Sequence, residues 1–280
     1  MKKIETLIED IQDVLVNGAS DIPKDALAAF GESMVNLMTY RLTKEDQVPR
    51  LRMSNIGSPC ERKLWLEINQ PQDREDFTPE TYLKFLYGDL LEELLLFLAQ
   101  VAGHKVEGRQ SEQDIEGIKG HRDAVIDGVL VDVKSASNYA FKKFKEGTLD
   151  KDDPFGYRTQ LQSYLFASQD DPVVTDKSRA AFFVIDKTSG HLCLNFHAKK
   201  EFDFPTNYKQ RIAAINSPTV PPRSFAPVED GKSGNMKLDT FCSYCPVKSA
   251  CYPNLRTFLY SNGPRFLTTV VREPNAYEAT

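Results

Sequence analysis

Nowhere in the 280 residues does an unbroken apolar run reach the length needed to cross a bilayer. The greasiest stretch, residues 90–99, is short and carries Glu92 and Glu93. The opening residues, MKKIETLIEDIQDVL, place acids in successive turns and so lack the apolar core of a secretory leader. The expectation is a cytoplasmic protein with no membrane partner. A basic excess is missing too, since 35 Lys+Arg stand against 40 Asp+Glu, a net charge of −5. That excludes a uniformly basic nucleic-acid binder while leaving room for a local basic patch. Repeats and low-complexity tracts are absent, and a 41% hydrophobic, 27% charged composition is ordinary for a folded chain. Cysteines number only five, and a reducing compartment argues against disulfides, so their spacing must say what they are for.

Hydrophobic spacing then organises the chain. Residues 1–45 read as helical, with Ile4, Leu7, Ile8, Ile11, Val14 and Leu15 on one stripe and a second helix over about 23–40. Together they read as a helical cap on something larger. Over 54–70, Ser58 is the expected N-cap, Pro59 the first helical position and Glu61 the partner in a capping box, which would put Cys60 in the first turn. A long helix is expected over 79–101. Strands follow over 104–116 and 119–134, the latter a hairpin turning at Asp127-Gly128. Helix 155–168, strands 179–185 and 191–197, and helix 204–215 come next. Residues 218–230, with four prolines, read as a loop, and the last 50 residues show little periodicity. The order suggests one α/β core, divided as a helical region 1–50, a core 51–230 and a cysteine-rich region 231–280.

The densest chemistry lies in GHRDAVIDGVLVDVK, residues 120–134. Asp132 and Lys134 are two apart on a strand and share a face, with Asp123 on the preceding strand. Continuous apolar neighbours (Ala124 to Ile126, Val129 to Val131, Val133) describe a central strand covered on both sides. Carboxylates there suit Mg²⁺ or Mn²⁺, and a lysine beside them can orient or deprotonate a water for phosphodiester cleavage. Asp127 is assigned to the turn. Gln160 and Tyr164 project together at i and i+4 of a helix, and Gly88-x-x-x-Glu92 offers a further carboxylate.

These elements, in this order, resemble the PD-(D/E)XK nuclease superfamily in its RecB-like branch. The resemblance implies a restriction-endonuclease-like α/β fold, a mixed sheet flanked by helices. It implies metal binding by Asp123, Asp132, Glu92 and the Val133 carbonyl, water positioning by Lys134, and support from Gln160 and Tyr164. Many RecB-like members have His where this chain has Glu92, and Glu93 is a possible substitute. His121, two residues before Asp123, is expected on the same face.

Cys60 and Cys242-x2-Cys245-x5-Cys251 form a set whose thiolates suit zinc or an iron–sulfur cluster, whereas Cys193 lies in the apolar strand LCLNF and reads as core. One cysteine before the core and three after it resembles the Cas4-like exonucleases. That implies a [4Fe–4S] cluster, with zinc as the alternative, closing a loop of about 180 residues in a C-terminal iron–sulfur region. After Lys134, KSASNYAFKKFK interleaves lysines with aromatics and contains no acid. Tyr139, Phe141, Lys142, Lys143 and Lys145 are therefore candidate contacts to single-stranded DNA. The implied activity is exonucleolytic hydrolysis of single-stranded DNA from an end, 5′→3′ favoured, in recombination, repair or processing, alongside a recombination-protein partner. A non-catalytic DNA-binding adaptor and a structure-specific endonuclease are the alternatives.

Overall fold

A computed structural model of the chain describes residues 2–43, 48–200, 203–261 and 263–279. Residues 44 and 45 of the expected N-terminal helical stretch lie outside them. The helices are α1 (Leu7–Asn17), α2 (Lys24–Thr43), α3 (Glu61–Asn69), α4 (Pro79–Val101), α5 (Asn138–Lys145), α6 (Tyr157–Ala167), α7 (Phe204–Ile215), α8 (Thr240–Ser243) and α9 (Lys248–Cys251). The strands of the main sheet are β1 (Val106–Glu107), β4 (Ala124–Ile126), β5 (Val129–Ala136), β6 (Asp176–Asp186) and β7 (Leu192–Ala198), in that spatial order. A two-stranded ribbon, β2 (Glu112–Ile115) with β3 (Ile118–His121), precedes β4. Asp127 (φ 49°) and Gly128 (φ 84°) both adopt the left-handed backbone that a tight hairpin between β4 and β5 requires.

Among the described strands of the main sheet, only β5 and β6 pair in parallel, and the crossover between them carries α5 and α6. Alternate residues of β5 therefore face different layers. Val129, Val131 and Val133 pack with Ile4, Leu7 and Ile11 of the N-terminal helices and Leu95, Leu96 and Ala99 of α4. Leu130 and Ala136 pack with α3, α5, α6 and α7 through Leu64, Phe141, Phe144, Leu161 and Phe204. Full burial of such side chains stabilises by about 1.5–3 kcal/mol each, so the sheet is held from both sides. The central strand read from the sequence is β5. The first helix is buried along its predicted stripe at Ile4, Leu7 and Ile11, although Leu15 is exposed. Second in the chain, α2 buries only Ala26 and leans on α4 through the Phe30–Phe97 stack, the Ser33–Glu93 hydrogen bond and the Arg41–Asp89 pair.

Two expectations need correction. Cys60, not Ser58, caps α3: its sulfur accepts the Lys63 N–H at 3.4 Å, and the helix begins at Glu61. The Ser58 hydroxyl turns instead to Cys60, with Pro59 lying before the helix. The periodicity-poor tail is also not featureless. It forms a second five-stranded antiparallel sheet, with β8 (Val228–Glu229), β9 (Met236–Lys237), β10 (Arg256–Tyr260), β11 (Gly263–Thr269) and β12 (Tyr277–Ala279). Its strands are short and mostly half-buried around Phe258 and Leu267, so no apolar alternation announces them. The cysteine-bearing α8 and α9 sit within this region, between β9 and β10.

Candidate active site

Asp132 and Lys134 point from β5 into the layer that contains α6, while α4 covers the opposite layer and brings Glu92 to the same end of the sheet. Asp123 lies in the break between β3 and β4, one residue before the strand expected to carry it. There its Oδ2 accepts the Val133 N–H at 2.7 Å, joining the carboxylate directly to β5. Asp132 is buried and ion-pairs with Lys134, yet its Oδ2 takes part in no well-directed hydrogen bond. Glu92 accepts from Gln110 Nε2 at 2.7 Å. Glu93 points elsewhere, to Ser33 at 2.6 Å and to Arg109, so Glu92 is the acid that faces the group. Tyr164 is buried, one helical turn beyond Gln160 on the same face of α6. Gly120 explains why Tyr164 fits. A Cβ there would sit 2.8 Å from the phenolic oxygen and 2.7 Å from Met53 Cβ.

His121 does not join this group. It is exposed and paired across the ribbon with Glu112, because the chain breaks its strand between His121 and Asp123 and the expected alternation is lost. Tyr157, which sequence reasoning missed, does join it, with the Lys134 Nζ 5.1 Å from its ring centroid. Its spacing of three from Gln160 was the available clue.

Charge in the group is unbalanced. Burial, then repulsion from Asp132, pushes Glu92 up to about 7. Burial, then Asp132 and Glu92, holds Asp123 well above the usual carboxylate range. For Lys134, burial opposes the charge, but Asp132 and Asp123 outweigh it and raise the ammonium above its ordinary value. Tyr164 is also raised, mainly by burial and then by the two aspartates, and stays a neutral donor. Three carboxyl groups thus surround one cation, and burial with mutual repulsion makes Glu92 and Asp123 hold their protons more tightly.

The sequence profile of the PD-(D/E)XK nuclease superfamily matches residues 25–252. The chain belongs to this superfamily. No curated protein matches it significantly, and two solved chains do. The crystal structure of SSO0001 is 15% identical with a TM-score of 0.42, over 79% of this chain and 95% of that one.

Elsewhere in this PD-(D/E)XK protein, Cys60, Cys242, Cys245 and Cys251 line one small cavity with Lys63, Lys248 and apolar side chains such as Leu66, Phe241 and Val247. Burial pushes Cys242 and Cys245 up to about 12, and for Cys242 the neighbouring thiols act in the same direction. Among the described residues, no three His, Cys, Asp or Glu side chains are grouped as ligands of a single metal ion. Cys193 is core, facing Val184 on β6, with its thiol pushed up to about 11 by burial. The Cys60 segment is docked on the catalytic layer by a backbone contact of two glycines. A Cβ on Gly57 would lie 2.3 Å from the Gly156 carbonyl oxygen, and one on Gly156 1.9 Å from that of Gly57. Gly156 is the N-cap of α6, the helix of Tyr157, Gln160 and Tyr164.

The basic aromatic run is α5. Ser137 caps it, accepting from the Ala140 N–H at 3.4 Å, and Asp186 holds Asn138 at 3.0 Å. Phe141 is buried with Phe144 in the core, because positions three apart share the helix's inner face; it is not available for base stacking. Tyr139, Lys142 and Lys145 are exposed, and Lys143 lies 4.7 Å from the Tyr139 ring centroid while pairing with Asp152. No helix among the described residues is long and apolar enough to cross a membrane.

Proposed function

We propose that the protein is a divalent-cation-dependent nuclease that hydrolyses DNA phosphodiester bonds, acting on single strands from an end, with the 5′→3′ sense favoured. The observation that carries this reading is the convergence of Asp123, Asp132, Glu92 and Lys134 at one end of the sheet. The donor set fits Mg²⁺ or Mn²⁺. It offers hard carboxyl oxygens from three acids whose mutual repulsion a cation would relieve, and a buried Asp132 oxygen without a well-directed hydrogen bond. Asp123, Asp132 and Glu92 would hold the ion, with the Val133 carbonyl beside them. When bound, such an ion lowers the pKa of a coordinated water and withdraws charge from the phosphate.

The chain's own groups supply the rest. Lys134, ion-paired with Asp132, would orient the water and offset charge on the phosphate. Gln160 and Tyr164 keep neutral donors beside it, and Tyr157 fixes the ammonium over its ring. Tyr139, Lys142, Lys143 and Lys145 meet the strand outside the site.

The cysteine cavity fits a [4Fe–4S] cluster in kind. Four thiol donors, an apolar lining and two lysines match a negatively charged group, which would fasten the C-terminal region to α3. Zinc is the alternative, and absorbance separates the two: iron–sulfur protein is brown, zinc protein colourless. A role in recombination or repair with a partner protein fits the same reading.

The test uses end-labelled single strands with and without Mn²⁺. Lys134→Ala should keep its circular dichroism and lose cleavage by about 10²–10³-fold. Undiminished cleavage would overturn the assignment, and cutting of circular single strands would replace exonuclease by endonuclease.

A further inference from the structure

Three aromatic rings form a series that leads away from the catalytic lysine. Tyr157, under Lys134, is anchored on the core rings Phe144 and Phe182 at 6.3 and 6.5 Å. Phe155 follows at 5.5 Å from Tyr157, and Tyr244 stands 6.3 Å from Phe155. Exposure grows along the series: Phe155 is 44% exposed and Tyr244 70%. Tyr244 lies between Cys242 and Cys245, so the series crosses from the catalytic layer to the cysteine-bearing region. Near it, at Pro154, opens a groove of about 390 Å³, lined by Tyr139, Lys143, Lys151 and Phe241 together with Asp152, Asp153 and Asp239.

An exposed aromatic pair adds nothing to a core and leaves apolar faces in water. Phe155 is tilted 32° from Tyr157 and Tyr244 63° from Phe155, so each exposed ring offers a face in a different direction, which suits a curving chain of unpaired bases with its phosphates on nearby lysines. The groove's carboxylates are already engaged. Asp152 pairs with Lys143, Asp153 accepts from the Tyr157 and Arg158 amides, and Asp239 accepts from the Phe241 amide. They therefore repel phosphate less than free acids would.

We infer that Phe155 and Tyr244 are a base-stacking platform which holds a DNA single strand as it leaves the Lys134 site toward the cysteine region. The inference rests on the nuclease reading of that site, and its test needs no cleavage. In EDTA, fluorescence anisotropy is measured with labelled oligo(dT) of about 20 nucleotides, an abasic strand of equal length, oligo(U) and a blunt duplex. The native chain should bind oligo(dT) about tenfold or more tightly than the abasic strand, because stacking needs bases. Phe155→Ala/Tyr244→Ala should lower oligo(dT) affinity by a similar factor and erase its advantage over the abasic strand, with duplex binding changed much less. Tyr244→Phe, which keeps a ring, should restore the discrimination, and an unaltered visible spectrum shows that the cysteine region is intact. An equal loss for oligo(dT) and abasic strands, or no loss, overturns the platform. Oligo(U) bound more tightly than oligo(dT) overturns the choice of DNA. Absence of metal-dependent cleavage would overturn the nuclease reading alone.

Discussion

The acidic group and the cysteine cavity each gather residues distant in sequence, but they are held in opposite ways. Asp132 and Lys134 belong to a strand paired on both edges and packed on both faces, so their positions follow from the main core. Lys134 already offsets part of the local charge. The cysteines sit on an N-cap and two four-residue helices, supported by a small cluster of Trp65, Leu66, Cys245 and Val247. Helices of that length do not persist on their own in water. The sheet site is thus held by the core alone, whereas the cavity, on the proposed reading, would draw its rigidity from a group bound by the thiols.

The largest test of this contrast is Asp132→Asn. Removing one buried carboxylate should lower cleavage by about 10²–10³-fold while the unfolding midpoint shifts little, because the amide keeps the shape and relieves repulsion. A large loss of stability with normal cleavage would reverse the picture. Cys242→Ser should do the converse. If the proposed iron–sulfur cluster fills the cavity, its visible absorbance should vanish and stability should fall by about 3 kcal/mol, measured by denaturant unfolding. Equal stability would show that the cavity holds itself together.

The pH dependence of the metal-free protein sharpens the charge argument. Glu92 titrates near 4.5 when unfolded and near 7 when folded, so the folded state binds its proton more tightly. Stability is therefore fully present below pH 4.5 and declines as pH rises through about 7, by up to about 3 kcal/mol for this group. Asp123, raised for the same reason, adds to the slope. Urea unfolding from pH 5 to pH 8 should show the decline, and Glu92→Gln should flatten it. The smallest effect belongs to Cys193→Ala, which should cost about 1 kcal/mol and leave colour and cleavage unchanged, since its sulfur only packs. Loss of colour would move Cys193 into the cofactor set.

Local patterns carried much of this in advance. The apolar runs around Asp123 and Asp132, the Asp127-Gly128 turn and the spacing of Gln160 from Tyr164 each state a local geometry, and all three appear in the structure. His121 and Phe141 fail for a shared reason. Period alone says which residues share a face, but not where a strand breaks or which face a neighbouring layer covers. The second sheet escaped because its strands are short and half-buried, and Tyr157 because its spacing of three from Gln160 says which helix face it shares but not that a lysine lies over it.

By itself, then, the sequence determined the secondary elements around β5, the shared strand face of Asp132 and Lys134, and the close spacing of Cys242, Cys245 and Cys251. Those depend on spacing along the chain, which is local. Tertiary structure alone decided that Glu92 rather than Glu93 faces the site, that Gly57 and Gly156 dock the Cys60 segment on α6, and that Tyr244 meets Phe155. Each of these is a contact between distant segments, fixed by how packed layers exclude one another's volume.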